Sequence, residues 1–249
     1  MPSRNGDPCR RLCILGNSHV GALKRAWDAR GTASPEADVA PTFFASRHRG
    51  LSQARVEGRH LVPGTEDLAR DLAFTSGGDG TVALDDFDAF LVYGLFVPAY
   101  RDAGQSYSAA CRMAALHDHF DHRIGVILAQ SLRAAVDVPV LIAHDPLPAD
   151  PGGVQGRPAA RRDHYRDTIA MVNERFFAPA GLTMLAQPAE TRVPERPFFT
   201  RAAYARGSRR LAVGDALDDG AHPHEDRLHM NDAFGALALD TVLEALRSR

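Results

Sequence analysis

Cysteine is scarce in this chain. Cys9, Cys13 and Cys111 are an odd, small number that makes no disulfide framework. The Cys9/Cys13 spacing has no second pair to complete a zinc site, so free thiols in a reducing compartment are expected. Long apolar runs are missing too. None approaches the ~18 residues of a membrane span. Residues 1–11 are polar, include Pro2 and Pro8, and lack the apolar centre of a signal peptide. The expectation is a cytoplasmic protein without a membrane span. Charge of neither sign dominates: the net charge is -2. No nucleic-acid or anionic-membrane partner is therefore expected. Lysine is nearly absent while arginine and alanine are common, which reads as coding bias rather than as a basic binding face.

What is present fits an ordinary globular protein. The chain has 249 residues, of which 45% are hydrophobic and 24% charged. Leu12-Cys13-Ile14-Leu15 is a short apolar run ending at Gly16, and it reads as a buried strand. Val20, Leu23 and Trp27 set a helix over 20–29 that Gly31 stops. Residues 41–45 read as a second strand leading into a polar loop over 46–50. Residues 55–85 are rich in Gly, Asp and Thr and read as loops with one or two short strands, with a turn at Gly77-Gly78-Asp79-Gly80. Ala89-Phe90-Leu91-Val92-Tyr93 is the clearest central strand.

Residues 108–135 then read as one long helix or a broken pair. A buried strand over 138–143 is closed by His144-Asp145-Pro146. A Pro/Gly/Arg-rich loop over 148–162 precedes a helix over 162–178, a short strand over 183–186, an irregular stretch over 189–219 and a final helix over 231–246. Strands alternating with helices favour a parallel sheet covered on both faces. The expected organisation is a flexible segment over 1–10 and a single α/β domain over 11–249. Sites in such sheets form at the carboxyl ends of the strands. The turn at Ser18, the 46–50 loop and the turn after Gly94 should then gather at one edge.

Gly16-Asn17-Ser18-His19 lies on the first strand-to-helix turn. A serine hydroxyl is a weak nucleophile that needs a base within reach, and the base needs an acid to fix its tautomer. Near the C-terminus stands Asp226-Arg227-Leu228-His229, just before the last helix. An Asp three residues before a His can place both side chains on one side of a turn. Taken alone, Ser18 would read as a helix N-cap.

With both segments in view the chain resembles the SGNH hydrolases, or GDSL esterases and lipases. The resemblance spans nearly the whole chain, because its two anchors lie near opposite ends. It implies a flavodoxin-like three-layer α/β/α sandwich with about five parallel strands. It also implies Ser18 as nucleophile, His229 as base, Asp226 as the acid that orients it, and an oxyanion hole from the Ser18 and Gly50 backbone N–H groups. The implied reaction is hydrolysis of small O-acyl esters, acetylated carbohydrates among them, through an acyl-serine intermediate with no cofactor. The same three residues would serve an O-acyltransferase acting on a sugar hydroxyl. Two positions depart from the family. Asn17 stands where Asp is usual, and the third strand ends Gly94-Leu95-Phe96 where the family carries Gly-x-Asn. Phe96 donates no hydrogen bond, and losing one oxyanion donor costs about 10²–10³ in turnover. A weak or inactive SGNH-fold protein that binds a glycan or a partner is therefore a third reading.

Other groupings compete. Asp219-Gly220-Ala221-His222-Pro223 also fits Asp-x-x-His; His229 is preferred because 230–235 runs straight into the final helix. His222, His224 and His229 with Asp226 have side chains that suit a metal, though no compact ligand motif occurs. His117, His119 and His122 with Asp118 and Asp121 read as a solvated helix face. Gly-x-Gly-x-x-Gly fails at Ser18, so no dinucleotide loop is read there. His144 could point into the site, although a strand-end turn is preferred. Arg161 and Arg162 read as surface charges rather than an anion site.

Overall fold

The computed structural model describes residues 10–31, 38–97, 107–152 and 163–248. Five strands form the central sheet: β1 (Arg10–Gly16), β2 (Val39–Ala45), β3 (Ala89–Tyr93), β4 (Val140–Ala143) and β5 (Thr183–Leu185). All pair in parallel, in the order β2-β1-β3-β4-β5. Among the described residues six α-helices accompany them: α1 (Val20–Ala29), α2 (Glu66–Ser76), α3 (Ala109–Phe120), α4 (Ile124–Ala135), α5 (His164–Val172) and α6 (Asp232–Arg247). This is a three-layer α/β/α arrangement of the flavodoxin-like kind.

Side-chain alternation along the strands sorts the layers. Leu12 and Ile14 of β1, with Leu91 of β3, pack with Val20 and Leu23 of α1 and Phe234 and Leu239 of α6. Cys13, Leu15, Phe90, Val92 and Ile142 face the other way, into a cluster with α2, α3, α4 and α5. Because β1 is flanked on both sides in one register, Gly16 lies level with Ala45 and Tyr93. The turns after β1, β2 and β3 therefore do meet at one edge. Gly16 is needed there because a Cβ would lie 2.3 Å from the Tyr93 carbonyl oxygen and 2.5 Å from Val20 Cγ2.

Several elements correct the sequence reading. The 55–85 stretch contains the whole helix α2 as well as three short strands, Ala54–Glu57, His60–Pro63 and Val82–Ala83. Thr65 caps α2 by accepting the Leu68 N–H, Leu68 and Leu72 bury one face, and Gly77 closes it at φ +72°. The 108–135 segment takes the second of its two expected forms, a broken pair, with α3 capped by Ser108 and α4 starting at Ile124. The irregular 189–219 stretch holds a two-stranded ribbon, Arg192–Val193 with Arg196–Thr200. Residues 1–9, with Cys9, and residues 161 and 162 lie outside the described residues. Cys13 is a buried free thiol and Cys111 an exposed one. No helix among the described residues is long and apolar enough to cross a membrane.

Candidate active site

Ser18 sits on the turn between β1 and α1, and it does not cap the helix. His19 occupies the N-cap position of α1 and makes no side-chain capping bond. The Ser18 hydroxyl reaches across the molecule to the His229 ring, with Oγ 3.0 Å from Nε2. His229 Nδ1 lies 2.9 Å from Asp226 Oδ2. The other carboxylate oxygen, Oδ1, accepts the backbone N–H groups of Leu228 (2.8 Å) and His229 (2.9 Å). Asp-x-x-His is thus a closed turn in which the Asp holds both the backbone and the ring.

Burial pushes the Asp226 carboxyl up. The backbone and ring N–H groups of His229, the Leu228 N–H and the His229 charge outweigh that, and the group settles at about 2. An ionised Asp226 only accepts, so Nδ1 of His229 carries the ring proton and Nε2 presents its lone pair to the Ser18 hydroxyl.

The loop that presents this turn is anchored on three sides. The Arg227 side chain donates to the Ala149 carbonyl beyond β4, and the Arg227 carbonyl accepts the Ala149 N–H at 2.7 Å. Asn231 caps α6 through the Phe234 N–H at 3.1 Å and holds the Ala203 and Arg206 carbonyls with its amide. Arg25 of α1 ties Asp232 to the carbonyls of Arg209 and Arg210.

A second carboxylate braces the nucleophile turn. Asp145 follows β4, and its Oδ1 accepts Asn17 Nδ2 at 2.8 Å and the Leu95 N–H at 3.0 Å. His19 Nε2 stands 3.5 Å from the same oxygen. Asn17 Oδ1 in turn accepts the His19 N–H at 3.1 Å. An aspartate at position 17 would set two carboxylates against each other, so the amide is what this site requires. Gly94 permits the approach: it is at φ +79°, and a Cβ there would lie 2.6 Å from Asn17 Oδ1 and 2.8 Å from Asp145 Oδ1. Burial raises the pKa of Asp145, against the pull of Asn17, Leu95, His144 and His229. The sequence places His144-Asp145-Pro146 at a strand-end turn and gives Asp145 no role of its own. Strand alternation holds the clue, since His144 continues the face of Val140 and Ile142. Its Nε2 meets the buried Tyr165 hydroxyl at 2.6 Å, while Asp145 turns to Asn17.

Of the oxyanion donors expected, Gly50 is corrected. The Gly50 N–H donates to the Arg47 carbonyl at 3.1 Å, and the residue is small because a Cβ would lie 2.0 Å from Ser46 Oγ. Phe96 points into the core against Phe120, Phe177 and His144. The strand-three turn gives its backbone to Asp145 and no side-chain donor to Ser18. The Ser18 N–H has no acceptor among the described residues, which leaves it open to a ligand.

His222, the competing base, does not reach Ser18. Its ring stacks on His229, with centroids 3.8 Å apart and planes 9° apart. Nδ1 of His222 lies 3.4 Å from Asp226 Oδ2. Ligand atoms of His222, Asp226 and His229 lie within 4.8 Å of one another, as a metal site would need. The stack argues against one. A metal lies close to the plane of each imidazole it binds, and two parallel planes this far apart share no such point. His117 pairs with Asp121 on an exposed helix face, in keeping with the solvated reading. A groove of about 550 Å³ lined by Asp163, Arg166, Arg192 and Asp240 shares no residue with the site. Comparison of the chain with protein-family models and with curated proteins returns no match.

Proposed function

We propose that the protein is a serine ester hydrolase of the SGNH/GDSL type. The observation that carries this reading is the unbroken line from Ser18 Oγ through the His229 ring to Asp226, at 3.0 and 2.9 Å. The serine is freed from helix capping and the base is held in the required tautomer, which is the arrangement nucleophilic acyl transfer uses.

In the proposed reaction Ser18 Oγ attacks the ester carbonyl carbon while His229 Nε2 takes the hydroxyl proton. The tetrahedral oxyanion is met by the Ser18 N–H. The C–O bond to the alcohol then breaks, and the alcohol leaves with the proton from His229. Water attacks the acyl-serine, its proton passes to His229 and then back to Ser18 Oγ, and the acid is released. Asp226 stays ionised throughout and balances the imidazolium. Small O-acyl esters, acetylated carbohydrates included, are the substrate class this reading implies.

One observation favours a slower or non-catalytic variant of the same site. Phe96 is buried where a side-chain oxyanion donor is expected, and Gly50 gives its N–H to Arg47. A glycan- or partner-binding role is the second reading.

Hydrolysis of p-nitrophenyl acetate by wild type, Ser18→Ala and His229→Ala separates them. A wild-type rate that both substitutions abolish supports the hydrolase, and equal background rates in all three overturn it. A rate that appears only with an added sugar acceptor moves the reaction from hydrolysis to acyl transfer.

A further inference from the structure

His222 lies beside the Ser18–His229–Asp226 line without belonging to it. Its Nδ1 faces Asp226 Oδ2 at 3.4 Å, and its Nε2 is buried with no hydrogen-bond partner among the described residues. Only 8% of the side chain is exposed. A buried ring that gives neither nitrogen a good hydrogen bond carries a desolvation cost that an apolar ring would avoid. What His222 does offer is its flat face, laid 3.8 Å from the ring of His229.

That face matters because the charge of His229 changes during the proposed reaction. A neutral aromatic ring attracts a cation placed over its face. His222 can act this way only while it is itself neutral. Burial, then the neighbouring His229, Arg210 and Arg25, hold its pKa down at about 4 against the pull of Asp226. The nearby His19 ring, 5.0 Å from His229, is also kept neutral by burial, at about 3. The groups facing His222 are therefore the Asp226 carboxylate, 3.4 Å from its Nδ1, the Arg210 and Arg25 guanidiniums, and the His229 ring.

We infer that His222 is a positioning residue for this site: its face holds the His229 ring in line with Ser18 and favours the imidazolium that ring becomes. The kinetic consequence rests on the proposed ester hydrolysis, while the effect on His229 itself rests on the stack alone.

The test compares wild type with His222→Phe and His222→Leu. Phenylalanine keeps a flat face and has no nitrogen to leave unpaired. Leucine keeps bulk without the face. With p-nitrophenyl acetate, His222→Leu is expected to lose about tenfold in kcat with KM within about twofold. The acid limb of its kcat/KM profile moves to lower pH by about one unit, the same tenfold factor. His222→Phe returns both to within about twofold of wild type. In a Ser18→Ala background, which needs no turnover, NMR follows the His229 ring protons through a pH titration. They respond at lower pH with His222→Leu and at the wild-type pH with His222→Phe. A His222→Leu protein that matches wild type in both readouts overturns the inference. So does a His222→Phe protein that falls with His222→Leu, because the role would then lie in a nitrogen. If wild type hydrolyses no ester, the hydrolase reading fails and the NMR comparison still decides the role of His222.

Discussion

Two carboxylates stand on either side of the Ser18 turn, and the fold treats them oppositely. Asp226 engages both oxygens, accepting two backbone N–H groups on one and the His229 ring on the other, and its pKa falls to about 2. Asp145 concentrates its bonds on one oxygen at the end of a buried strand, and burial raises its pKa. The difference lies in how many donors meet the charge and how much water is lost. A well-supplied carboxylate at the rim can balance a charge that comes and goes on His229. A poorly hydrated one beneath the turn is a fastening for Asn17, Leu95 and His19.

The comparison breaks most sharply at Asp226→Asn. The new amide would donate to His229 Nδ1, forcing the ring proton onto Nε2, where it faces the Ser18 hydroxyl with no lone pair to offer. We expect kcat for p-nitrophenyl acetate to fall about 10⁴-fold, some 5.5 kcal/mol of transition-state stabilisation. KM should change little. Asp145→Asn keeps the Asp226–His229 hydrogen bond and should lose far less in kcat. Steady-state kinetics on the two variants checks this; similar losses would erase the distinction drawn here.

Phe96 tests the Asp145 side. The Gly94-Leu95 turn, with Leu95 at φ +70°, wraps its backbone around Asp145 and sends Phe96 into the core. Restoring the expected asparagine by Phe96→Asn would therefore bury an amide among Phe120 and Phe177 rather than aim it at Ser18. The expected outcome is a loss of about 4 kcal/mol in urea unfolding with no gain in esterase rate. A rise in rate would show that the turn can re-aim.

Much of this is legible in the sequence alone. Apolar runs bounded by Gly and Pro located all five central strands, and their alternation with helices implied that the turns after β1, β2 and β3 share an edge. Ser18 and the Asp226/His229 turn were legible because each is a short local pattern with a stated chemical need. Helix α2 was missed because frequent Gly and Asp masked the Leu68/Leu72 spacing and the Thr65 cap. Asp145 was missed because its role is long-range: nothing near position 145 says that position 17 is an amide 2.8 Å away. The Gly50 N–H was misassigned for a similar reason, since a local turn with Arg47 uses it.

Acid unfolding separates the two carboxylates by sign. Burial first, opposed by the neighbouring Asp145, holds the pKa of His144 at about 4 against an ordinary 6.5. A depressed folded value means the stability is present above 6.5 and lost as the pH falls towards 4. For the fully buried His144 the loss is about 3 kcal/mol. His19 and His222, also depressed, act in the same direction. Asp226 adds a later loss between 3.8 and about 2. Asp145, raised, acts against it and regains stability as it takes up a proton. Urea unfolding from pH 7 to 4 should show stability falling, with a slope between 6.5 and about 4 that His144→Gln lowers by at most about 1.4 kcal/mol per pH unit. A flat profile over that range would contradict the buried neutral histidines.

The smallest effect is the most specific. Asn17→Asp places a carboxylate where the amide now donates to Asp145 Oδ1 at 2.8 Å. One of the two acids must then take up a proton or both must repel. We expect about 2 kcal/mol lost at pH 7 by urea unfolding, and part of it recovered near pH 5, where the pair can share a proton. The exchange Asn17→Asp with Asp145→Asn restores one donor facing one acceptor, with the charge moved to the strand-to-helix turn. If the double variant recovers most of the loss, the coupling belongs to the pair. If it is as unstable as the sum of the single changes, Asp145 is held by Leu95 and His19 rather than by Asn17. The amide beside the nucleophile would then need another reason.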